Sequence, residues 1–145
     1  MTKSLVAIAI VAALGGCADD GGSSGPRTLA GTCGFPKRTI EVDISPALES
    51  FVIDDVEVAN FEERKNRATL ALNVPYSVQD ALPRYREASK EAGFEIIQED
   101  NEGFEAEIYM RKGADLGQVQ IRGSQCRDAV RVYVSIVRNA AVPPG

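Results

Sequence analysis

Between Arg67 and Val74 the chain reads RATLALNV, with Ala68, Leu70 and Leu72 alternating against Thr69, Ala71 and Asn73. Side chains of an extended strand point to opposite faces with a period of two, so this stretch predicts a strand with one apolar face. Two earlier runs, Arg38 to Ile44 (RTIEVDI) and Phe51 to Phe61 (FVIDDVEVANF), predict strands by the same pattern, with Glu62 to Asn66 (EERKN) as a charged turn. Beyond the middle of the chain the alternation returns. Phe94 to Gln98 leads into the turn EDNEG, Glu99 to Gly103. In Phe104 to Lys112, the residues Phe104, Ala106, Ile108 and Met110 face one way, and Glu105, Glu107, Tyr109 and Arg111 the other. GADLG, Gly113 to Gly117, turns the chain into QVQIRG with Val119 and Ile121 inward, and AVRVYVSIV aligns Val130, Val132, Val134 and Ile136.

One stretch has a helical period instead. In SVQDALPRYREASKEAG, the positions Val78, Leu82, Tyr85, Ala88/Ser89 and Ala92 form a narrow apolar stripe, and Gly93 is placed to end the helix. Ser77 with Asp80 three residues on resembles a capping box, but a start at Ser77 lets Pro83 remove the bond to Gln79. Asp80 as the cap, or a kinked start, is therefore the expected arrangement, because it brings Pro83 into the first turn. Short turns between the later strands demand antiparallel neighbours. The expected fold is α+β: a two-layer sandwich of one main helix packed on a curved antiparallel sheet.

Charge and composition narrow the function classes. The 145 residues carry 16 Lys and Arg against 21 Asp and Glu, a formal net charge of -5, and no histidine. The acids are spread along the chain, so no basic face is expected to meet nucleic acid. Without imidazole the chain builds neither a Ser-His or Cys-His nucleophile nor a His-ligated zinc site. The amino terminus stands apart from the rest. Lys3 is followed by an apolar run from Leu5 to Leu14, which as a helix rises about 15 Å, half of a ~30 Å hydrocarbon core. A cation, a short run apolar on every face and small residues after it are the outline of a secretory signal peptide. The rival reading, a buried N-terminal helix, would usually keep a polar face.

Leu14-Gly15-Gly16-Cys17 resembles the lipobox of bacterial lipoproteins: an aliphatic residue, two small residues, then cysteine. The resemblance covers the first seventeen residues. It implies diacylglycerol on the Cys17 sulfur, cleavage before Cys17 and a protein held at the cell membrane or outer membrane. Two or more acyl chains anchor stably where one binds marginally. With Cys17 so used, Cys33 and Cys126 remain as a pair, in a compartment where disulfides persist. The strand-rich tail after a helix ending in Ala-Gly-Phe is also similar to small actinobacterial lipoproteins, a likeness that implies no activity. The expected organisation is a signal peptide over residues 1–16, the lipidated cysteine and a flexible linker over 17–30, one domain over 31–139 and a tail over 140–145. A linker rich in Gly, Ser, Asp and Pro spans about 20 Å, which keeps the domain close to its bilayer.

Candidate chemistry is sparse. No Ser is followed three residues later by Lys, and GxGxxG, P-loop and HExxH patterns are missing from the sequence. Paired acids occur at Asp54-Asp55, Glu62-Glu63 and Glu99-Asp100, with Glu102 just beyond. A carboxylate-only hydrolase would need two of them facing across a cleft, and a calcium site at Glu99 to Glu102 would need their oxygens to converge. The expectation is a non-enzymatic envelope protein with neither metal nor other cofactor. Its partners are the bilayer, through acylated Cys17, and an unidentified protein or other envelope component. A subunit of a larger envelope complex is the structural alternative. The contact surface expected for it is the polar strand face bearing Glu105, Glu107, Tyr109 and Arg111, with Arg131 and Tyr133 nearby, where aromatic and charged side chains interleave.

Overall fold

The computed structural model describes residues 43–126 and 128–140. Along them run a short helix α1 (Pro46–Glu49), strands β1 (Glu57–Arg64) and β2 (Arg67–Val74), the main helix α2 (Val78–Glu91), and strands β3 (Glu95–Asn101), β4 (Glu105–Lys112), β5 (Asp115–Gly123) and β6 (Val130–Val137). The strands form one open sheet in the order β1-β2-β6-β5-β4-β3, every neighbouring pair antiparallel. The fold is α+β, six strands with one main helix. The β2-to-β3 connection carries α2, which lies against β3, β4 and β5.

Alternation decides the core. Ala68, Leu70 and Leu72 of β2, Ala106, Ile108 and Met110 of β4, Val119 and Ile121 of β5, and Val130, Val132, Val134 and Ile136 of β6 are all buried in one cluster. From α2 the cluster takes Val78, Ala81, Leu82, Tyr85 and Ala88. Ser89, on the same helical face, is buried too; its hydroxyl donates to the Tyr85 carbonyl at 2.7 Å, which removes the cost of an unpaired donor. Phe51 and Phe94 meet with ring centroids 6.5 Å apart and tilted by 59°, joining the segment after α1 to the end of α2.

The boundaries depart from the sequence reading in several places. Phe51 to Val56 is turn and loop, and β1 begins at Glu57 and continues through Arg64, so the charged turn shrinks to Lys65-Asn66. The α1 helix had no period to announce it. The expected strand over Arg38 to Ile44 lies outside the described residues except for Asp43 and Ile44, which are not in a strand. β3 extends to Asn101, and β5 starts at Asp115, so acidic and Gly-containing stretches read as turns lie partly inside strands. Phe104, expected inward, is 67% exposed, because it falls in the β3–β4 turn before the ladder resumes at Glu105.

The helix start is also different. Ser77 is the cap: its Oγ accepts from the Asp80 N–H at 3.2 Å and donates to Asp80 Oδ2 at 2.7 Å. Pro83 therefore lies inside the helix, at a cost of about 3 kcal/mol. Of the residues this start adds, Val78 is buried, contributing about 1.5–3 kcal/mol, and the Ser77 cap contributes about 1 kcal/mol. Packing and cap together offset the missing bond. At the other end Gly93, with φ of +82°, lets the Phe94 N–H reach the Ser89 carbonyl at 2.9 Å and its own N–H reach Lys90 at 2.8 Å, a Schellman closure.

Arg86 of α2 ties the helix to the sheet through a two-pronged pair with Glu99 of β3, at 2.9 and 2.7 Å. The hydrogen bond from Arg86 holds the Glu99 carboxyl below its ordinary value of 4.5, against a smaller opposing effect of desolvation. A carboxyl lowered in the folded state stabilises above its unfolded value, and that contribution is lost as pH falls through the folded value. Glu99→Gln therefore lowers stability near neutral pH by up to about 1 kcal/mol, since the pair is partly solvated. Urea midpoints of variant and wild type, separate at neutral pH, should converge well below pH 4.5.

Candidate interaction surface

The face of the sheet turned away from the core collects every residue named for the contact surface. Alternation places Glu105, Glu107, Tyr109 and Arg111 on β4 and Arg131 and Tyr133 on β6, and the register brings them into rows across β5. Glu107 stands opposite Gln120, which stands opposite Tyr133; Glu105 stands opposite Arg122, which stands opposite Arg131. A third row runs from Arg111 through Leu116 to Val137. Gln118, Gln120 and Arg122 of β5 thus occupy the middle of the surface, and the sequence reading had passed over them. Their signal was present, since the alternation that turns Val119 and Ile121 inward turns these three outward.

These side chains are held by one another. The Glu107 carboxylate accepts from the Tyr109 hydroxyl and from Gln120 Nε2, the latter at 2.7 Å. Gln120 Nε2 also donates to Glu105 Oε1 at 3.0 Å, which accepts from Arg122 Nε at 3.3 Å. The bond to Glu107 keeps the Tyr109 hydroxyl protonated beyond the usual phenol range, with desolvation and the nearby carboxylate charges acting the same way. Arg111 pairs with Glu95 at 3.2 Å, and Arg131 donates to Asn73 Oδ1 at 3.0 Å. Tyr133 is the large side chain left at the centre with much of its surface open, 39% exposed.

The acids read as a candidate calcium site separate in space. Strand pairing turns Glu99 toward α2 and Arg86, while Asp100 lies opposite Glu107 on the open face. Asp100, Glu102, Glu105 and Glu107 do border a recess of about 210 Å³. No group of three or more acidic or thiol side chains among the described residues is arranged to hold a metal ion.

Cys17 and Cys33 lie outside the described residues. Cys126 is half-buried in the connection from β5 to β6, where its N–H donates to Ser124 Oγ at 3.0 Å and that hydroxyl donates to the Ala129 carbonyl at 2.7 Å. Among the described residues no helix is long and apolar enough to cross a membrane. Compared with protein-family models, curated proteins and solved structures, the chain matches none.

Proposed function

We propose that this chain is an exported lipoprotein, anchored through acylated Cys17 at the cell membrane or outer membrane, whose single domain is a non-enzymatic interaction module. In this reading α2 and the sheet form two layers, the sheet curving over the helix, and a Cys33–Cys126 disulfide closes the domain. The opposite face is left for a partner, a protein or other envelope component near the bilayer. One observation carries the proposal: Tyr133 is exposed at the centre of a polar face whose neighbouring carboxylates, amides and guanidinium groups already hold each other in place. A surface ordered before binding loses little side-chain entropy on contact, and exposed tyrosine is a common anchor at interfaces.

The test is a photo-crosslinking residue at position 133 of the full chain in intact cells, with mass spectrometry of the products. Discrete adducts from position 133, absent from a matched probe at Glu87 on the solvated side of α2, are expected, and Tyr109→Ala should weaken them. Acyl chains on the peptide beginning at Cys17 should appear in the same spectra. Identical adduct patterns from both probes would refute the contact surface, and an unacylated Cys17 peptide would refute the anchor.

A further inference from the structure

The tip of the β1–β2 hairpin carries charge opposite to that of the whole chain. β1 ends on Arg64, Lys65 and Asn66 make the turn, and β2 opens on Arg67, so Arg64 and Arg67 are direct partners across the ladder. Like charges placed opposite each other weaken a strand pair. The neighbouring acids relieve this incompletely. Glu62 takes Arg64 at 2.5 Å, and Glu63 is taken by Arg138, also at 2.5 Å. Arg67 reaches a hydroxyl, its Nε donating to Ser135 Oγ at 3.4 Å, and has no acid partner among the described residues. Between these groups opens a recess of about 320 Å³ lined by Glu62, Arg64, Arg67 and Thr69.

We infer that this recess binds a phosphate-type oxyanion between the Arg64 and Arg67 guanidinium groups. Guanidinium presents a planar fork of donors that stays charged at any working pH and matches phosphate oxygens two at a time. A phosphate presents its oxygens tetrahedrally, where the Glu62 carboxylate that now occupies one fork is planar, so it can face both guanidinium groups. Ser135 steadies Arg67 from the next strand, β6, and the Thr69 hydroxyl lies at the rim. A free phosphate and the phosphate of a phospholipid headgroup present the same recognising chemistry. This site is the hairpin-tip end of the same open face, where Arg67 stands opposite Val137 and Thr69 opposite Ser135; its donors are Arg64 and Arg67, so it does not depend on a partner at Tyr133.

The experiment follows the Arg Nε–H signals of the full chain carrying Cys17→Ser, as inorganic phosphate replaces chloride at constant ionic strength. Saturating shifts at Arg64 and Arg67 are expected, and Arg67→Gln should weaken the apparent affinity about tenfold or more, as for the loss of a charge-assisted bond. Glu62→Gln, which frees the Arg64 fork, should tighten it. Arg84→Gln should leave it unchanged, because Arg84 is on α2, which packs on β3, β4 and β5 rather than at the hairpin tip. Vesicles of phosphatidylglycerol against phosphatidylcholine then separate the sources. Retention on the former that is lost with Arg67→Gln identifies the headgroup, and saturation by inorganic phosphate without retention identifies the free ion. Shifts that fail to saturate, or equal losses from Arg67→Gln and Arg84→Gln, would overturn the site.

Discussion

Leu72→Ala is expected to lower the free energy of unfolding by about 2–5 kcal/mol. Leu72 is fully buried on β2, between Val58 of β1 and Val132 of β6, at the seam where the β1–β2 hairpin joins the β3-to-β6 meander. Removing its three outer carbons loses their transfer energy and leaves a cavity that a paired backbone on both sides cannot close. Against a domain stability of about 5–15 kcal/mol, that loss is large. The seam has a further consequence. Because β2 joins β6 by pairing rather than by chain connection, a weakened Leu72 should loosen the β1–β2 hairpin first. Urea denaturation measures the total loss, and hydrogen exchange should find the amides of β1 and β2 exposed before those of β4 and β5. Uniform acceleration of exchange throughout the sheet would contradict that order.

The second large effect concerns the proposed Cys33–Cys126 bond. The two positions are 93 apart (126 less 33), and closing a loop of that length contributes about 4–5 kcal/mol in the chain-entropy model, less any strain. Cys126→Ser, or reduction of the wild type, should each lower the denaturant midpoint by a similar amount, and reductant should then have no effect on the variant. The slope of the denaturation curve should rise as well, since an uncrosslinked chain exposes more surface on unfolding. Thiol titration of the unfolded, unreduced protein tests the pairing directly. A midpoint indifferent to reductant would dismiss it. The turn holding Cys126, pinned by Ser124, keeps one end of such a bond in a defined place.

The open face connects these stability arguments to the proposed function. Its charges are spent largely on one another: Glu105 on Gln120 and Arg122, Glu107 on Tyr109 and Gln120, Arg111 on Glu95. Exposed pairs of this sort contribute little to stability, about 0–1 kcal/mol each. Substitutions on this face should therefore change binding far more than folding, the reverse of Leu72.

Strand identity was open to reading from the chain wherever one face is buried, because a period of two is the direct imprint of a half-buried sheet. β2, β4 and β6 are legible for that reason, as are the core stripe of α2 and the glycine that closes it. Six residues named for the contact surface share a face for the same reason. What the alternation could not specify was order. Nothing local to β2 says that its second neighbour is β6, nor that β5 lies between Tyr109 and Tyr133 and contributes Gln118, Gln120 and Arg122. Pairing of strands distant in sequence is decided by which apolar faces can be covered together, and that is a property of the assembled sheet.

The same holds at the ends of elements. Phe104 looks inward by period yet sits in a turn, and Glu99 and Asp100 look like one acidic loop yet face opposite sides of β3. Pro83 argued for a later helix start, and the burial of Val78 with the Ser77 cap overrode it. Local pattern determined which side of each strand is apolar, because that requires only the pleat. Tertiary packing decided where each strand stops and which stand side by side, because those choices are settled by the surface buried between segments far apart in the chain.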